Sequence, residues 1–147
     1  MEKIRKFLNL HPSDRWLFLN AFFALIGINL LLNVVPYNAL RQSIAGQARR
    51  KKAFNPDCME ACRIADAVKL ASRNTPGKST CLVRALAGYY LMTKHDLPVE
   101  MYIGVKLGLP GQLKAHAWIM NQGEVILGYL EDLPDYTKLT NQSMKVA

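Results

Sequence analysis

Cys81 and His116 are the two side chains whose type and setting suit them to catalysis. The cysteine lies in "STCLVRALAG" (79–88) and the histidine in "KAHAW" (114–118). Ser79 or Thr80 suits an N-cap, so Cys81 falls in the first turn of a helix, where unpaired N–H groups and the helix dipole stabilise a thiolate. The same N–H groups can receive the oxyanion of a tetrahedral intermediate. A thiol nucleophile also needs a general base. The alternation in "AHAWIM" places His116 on a strand, with Trp118 on the same face. Thirty-five positions separate the two residues, enough for a helix and two strands to fold back on each other. A cysteine at a helix start facing a histidine on an adjoining sheet can do nucleophilic acyl transfer.

The remaining reactive residues have plainer explanations. His11 precedes Pro12 near the N-terminus, and His95 ends a helix. Cys58 and Cys62 stand four apart on one helical face without further ligands to complete a metal site, so both are expected to be small buried residues, with no metal or cofactor. Arg84 lies one turn after Cys81, where it could hold a substrate carboxylate or pair with an acid of the tail.

The elements that must position Cys81 and His116 follow from pattern. With 147 residues, half of them apolar and a fifth charged, the chain is expected to form a single globular domain over 1–147. Within it, an apolar N-terminal helix and a basic connector occupy 1–54 and the core 55–140. Much of the net charge of +8 sits in Lys3, Arg5, Lys6 and Arg15 and in the run Arg49, Arg50, Lys51, Lys52. Such patches suit anionic lipid, nucleic acid or an acidic peptide, or form a solvated loop between helices. An odd number of cysteines with no cleavable signal ahead of them points to a reducing, cytoplasmic setting.

From Trp16 to Leu40 there is no charged residue, a length that meets the threshold for a spanning helix. Asn20, Asn29 and Asn33 would be costly in hydrocarbon, and Pro36 ends the helix. Basic residues on both sides give no preferred orientation. A buried or membrane-surface helix is therefore favoured over a span, with Ser13 as its N-cap and Asp14 in its first turn. A helix follows over "NPDCMEACRIADAVKLASRN" (55–74), and another runs from Cys81 to about His95. The texture then changes to strands at "VEMYIGVKL", "AHAWIM" and "EVILGY", with a turn at "NQGE" and a polar tail wrapping the surface. The fold class is thus α+β, N-terminal helices followed by a small antiparallel sheet.

In order along the chain, the uncharged N-terminal helix ending at Pro36, "RIADAVKLASRNTPG", "CLVRALAGYYLMTKHDLPVEMYIGVKLG", "AHAWIMNQGEVILG" and "DYTKL" resemble the leader peptidases of lasso peptide biosynthesis. These form the peptidase half of the split B protein and belong to the transglutaminase-like, papain-like cysteine peptidases. The resemblance runs from about Trp16 to Leu139. It implies a transglutaminase-like core, with Cys81 as nucleophile and His116 as base, cleaving the leader from a ribosomally made precursor. It also implies a small leader-binding partner and an ATP-dependent macrolactam cyclase as partners, and no nucleic acid. The family places an Asp on the strand after the histidine. If Asn121 pairs with Glu124, the residue opposite His116 is Tyr129, which is no carboxylate. Glu131 shares its strand parity and Asp132 is next, so either is a candidate third member if the strand twists or bulges. Glu124 lies too far down the hairpin.

Overall fold

The computed structural model describes residues 2–50, 58–77, 79–139 and 144–145. Helix α1 (Glu2–Leu8) leads into α2 (Pro12–Val34). The cap of α2 is His11 and not Ser13: the His11 ring nitrogen accepts from the Ser13 backbone N–H, and Pro12 fills the first helical position, where a missing N–H costs nothing. The helix stops at Val35, immediately before Pro36, as expected. Helix α3 (Tyr37–Arg50) carries Arg49 and Arg50 in its last turn, whereas Lys51, Lys52 and the expected basic connector fall outside the described residues.

Helix α4 (Cys58–Ser72) turns Ala61, Ile64, Ala65, Val68 and Ala71 into the core. Cys62 falls on the far side of that stripe and is exposed, contrary to the expectation that it is buried. The Cys58 side chain lies outside the described residues. Helix α5 (Cys81–Lys94) starts at Thr80, whose hydroxyl accepts from the Val83 N–H at 3.3 Å. Of the two candidate caps, Thr80 is the one used. Helix α2 lies across α4 and α5 and buries Leu17, Ala21, Leu25 and Ile28 against them.

Strands β1 (Glu100–Leu107), β2 (Leu113–Asn121) and β3 (Glu124–Leu127) form an antiparallel meander. Gln122 and Gly123 both have positive φ, as a two-residue hairpin requires. The tail does more than wrap the surface. After a 3-10 turn at Leu133–Asp135 it adds β4 (Thr137–Lys138) and β5 (Met144–Lys145), both antiparallel to β1. The strand order is β3-β2-β1-β4, with β5 also on β1, so the class is α+β as the sequence implies.

Strand alternation gives the sheet two different faces. Met101, Ala117 and Ile119 are buried on the side of α5. Gly88 permits that approach: a Cβ there would come within 2.6 Å of Leu127 Cδ2 and 3.0 Å of Ile119 Cδ1. Tyr102, Gly104, His116 and Trp118 occupy the other face. Trp118 is 2% exposed and stacks on Tyr102, and Lys138 Nζ sits 4.2 Å over the Tyr102 ring.

Candidate active site

Cys81 is the first residue of α5 and is half-buried. Its place relative to the sheet follows from connectivity. Residues 95–99 join α5 to β1, and β1 begins opposite the C-terminal end of β2, where Glu100 pairs with Met120. Helix α5 therefore ends near the C-terminus of β2 and starts near its N-terminal half. Gly88 touches Ile119, and the seven helical residues back to Cys81 span ~10 Å, as do the three strand residues back to His116. Both residues therefore lie about equally far along their elements from the approach of Gly88 to Ile119.

His116 is half-buried and its Nε2 lies 2.7 Å from the Gly128 carbonyl oxygen. A carbonyl only accepts, so Nε2 carries the proton and donates it, which leaves the lone pair on Nδ1. The rings of Trp118 and Tyr136 flank the imidazole, with centroids at 6.3 and 5.9 Å. Gly128 has φ +83° and sits so close to β2 that a Cβ would come within 2.7 Å of the Ala117 carbonyl oxygen. Only glycine fits that backbone without strain.

The structure does not join Cys81 to His116. Among the described residues Cys81 forms no hydrogen bond, and that of His116 goes to Gly128. His116 belongs to the sheet face opposite the one α5 covers. Strand β3 stops at Leu127, opposite Ile119, and Gly128 follows it against Ala117 and Trp118 of β2.

The same irregularity displaces the expected third member. Asn121 does pair with Glu124, but a register shift between Ile119 and Met120 moves the pairing by one, so Tyr129 does not face His116. Tyr129 is 70% exposed. Glu131 is exposed and makes no hydrogen bond or ion pair among the described residues. Asp132 is taken by Lys106 Nζ at 2.6 Å, and Asp135 lies 3.4 Å from the same ammonium. The hydrogen bond from Lys106 holds the Asp132 carboxyl below the usual carboxylate range and lifts the lysine in turn. Neither carboxylate touches the imidazole. On the same face Tyr102 donates to Glu100, which pushes its phenol up to about 12. Arg84 is half-buried and forms no ion pair among the described residues.

Two contributors escape sequence reasoning, the Gly128 carbonyl and the Tyr136 ring. The one available signal is the glycine that follows "EVIL", which marks where the chain turns across β2.

The model of the family described as Transglutaminase-like superfamily matches residues 24–141. No curated protein and no solved structure matches the chain. The superfamily is typically one of cysteine peptidases and transglutaminases, and the helix-borne Cys81 and strand-borne His116 both lie within the match. With well over half of its residues covered, the chain belongs to the transglutaminase-like superfamily.

Proposed function

We propose that the protein is a cysteine peptidase that removes the leader from a ribosomally synthesised lasso peptide precursor, with Cys81 as nucleophile and His116 as base. One observation supports the chemistry: a cysteine opens a capped helix that packs on the strand bearing a histidine whose Nε2–H donates to a carbonyl, leaving Nδ1 to accept a proton. In the reaction Nδ1 takes the thiol proton. The thiolate attacks the scissile carbonyl, and the first N–H groups of α5 stabilise the oxyanion. The imidazolium returns the proton to the leaving amine, forming the acyl enzyme and the free peptide. Water, deprotonated by the same nitrogen, then releases the acid and restores the thiol. Gly128 supplies the acceptor that orients the imidazole, the part an Asp plays in the family the sequence resembles.

The precursor and leader reading rests on the ordered motif resemblance, as do the partners: a small leader-binding protein that delivers the substrate and an ATP-dependent macrolactam cyclase that closes the product. A reducing cytoplasm keeps the nucleophile free. The superfamily also uses amines as acceptors, so a transglutaminase-like acyltransferase is the competing reading. Both are tested by incubating the chain with a precursor peptide and a leader-binding protein encoded beside its gene, with and without an added amine. The proposal expects hydrolysed leader and core, lost in Cys81→Ala and in His116→Ala. Cleavage retained in Cys81→Ala, or amine adducts in place of hydrolysis, contradicts it.

A further inference from the structure

We infer that the protein docks on an anionic lipid bilayer through the outer face of α2, which lies flat in the interface and does not cross it. By length and composition α2 could span a membrane. Its packing argues against this, because Leu17, Ala21, Leu25 and Ile28 are embedded in the protein core, and a helix with one side sealed by protein lacks the lipid-facing circumference of a lone span. The opposite side should be polar in an ordinary surface helix. Instead it exposes Trp16 (69%), Leu19 (38%), Phe23 (67%), Leu30 (61%) and Val34 (85%). At about 100° per residue, this stripe centres about 160° from the buried one. Unpartnered apolar surface of that extent marks an interaction site.

Charge identifies the occupant. Residues 1–52 hold nine Lys and Arg against two Asp and Glu, so this segment carries +7 of the net +8. A second copy of the chain would bring one such basic segment toward another, which like charge opposes. An anionic headgroup layer complements it. Beside the stripe, between α1, α2 and α4, is an apolar cavity of about 600 Å³ lined by Ile4, Leu10, Phe18, Phe22 and Leu70, with Lys6 and Arg73 also on its wall. Apolar walls with two cations suit an acyl chain below an anionic head. Trp16 begins the stripe, and tryptophan is the side chain most at home at the depth of the headgroups.

The test uses the full chain and vesicles of phosphatidylcholine, either alone or with phosphatidylglycerol at about 30%. Of the two tryptophans, Trp118 is 2% exposed, so a change in emission on binding reports Trp16. The proposal expects a blue shift, at least about tenfold stronger partition onto the anionic vesicles, and release by salt. The double variant Phe23→Glu and Leu30→Glu should lower partition about tenfold or more without altering thermal unfolding, since both positions are exposed. Absence of partition onto anionic vesicles, undiminished binding by the folded double variant, or resistance of bound protein to alkaline carbonate would each overturn it. A dimer in solution that the double variant dissolves would also overturn it, by giving the face to a second copy. No outcome depends on peptidase activity.

Discussion

A histidine whose Nε2–H donates to a backbone carbonyl has its Nδ1 lone pair available without a carboxylate partner, and in this protein the carbonyl is that of Gly128. The proposed chemistry then has a definite mutational signature. Glu131→Gln and Asp132→Asn should leave cleavage within about threefold of wild type, since neither acid touches the imidazole. Gly128→Ala must either strain a φ of +83° or move the carbonyl, and should lower turnover about a hundredfold with the protein still folded, as misplacement of a catalytic group by about 1 Å does. Steady-state cleavage of the precursor by the three variants checks this. A loss of about a thousandfold in either acid variant would return the orienting role to a carboxylate. The places of Cys81 at a helix start and His116 on a strand were legible in the sequence because capping and alternation are local rules. Gly128 was not, because the one-residue shift at Ile119/Met120 has no sequence signature, and unshifted register arithmetic points to Tyr129 instead.

The element that matters most is α5, whose first turn both holds Cys81 and presents its N–H groups. Thr80 closes that turn through its hydroxyl. Thr80→Ala should cost about 1 kcal/mol of stability in urea unfolding. Fraying of the same turn should also slow alkylation of Cys81, which a purely structural cap elsewhere on the chain would not do. Helices and the hairpin were readable because periods of 3.6 and 2 repeat several times in each. The exposure of Cys62 was not, since four-residue spacing tells which residues share a face but not which face is buried. Strands β4 and β5 are two residues each, too short to alternate, and exist only because β1 offers them an edge. The site itself depends on one of these neighbours: the segment from Gly128 to β4 brings Tyr136 over His116 and Asp132 onto Lys106.

Across the whole molecule, α2 adds four buried side chains to the core built by α4 and α5, and the family match begins inside it, at residue 24. Its three large buried side chains, Leu17, Leu25 and Ile28, contribute about 1.5–3 kcal/mol each, together a large share of the total stability of a domain. Removing residues 1–35 should therefore abolish cooperative unfolding, read by near-UV circular dichroism against denaturant. A truncated chain that still unfolds cooperatively would mean that α2 is an appendage. Composition and length show a long apolar helix here, but only packing distinguishes a core helix with one bare side from a span or a fully buried strut.

Mapped alkylation tests the central claim without a known substrate. Exposed Cys62 serves as an internal reference for Cys81 in the same sample. Treated briefly with iodoacetamide at about pH 6.5 and digested for mass spectrometry, the wild-type protein should be modified at Cys81 at least about tenfold faster than at Cys62, and His116→Ala should erase that difference. Equal rates at the two cysteines, or a preference for Cys81 that survives the loss of His116, would contradict the pairing of thiol and imidazole.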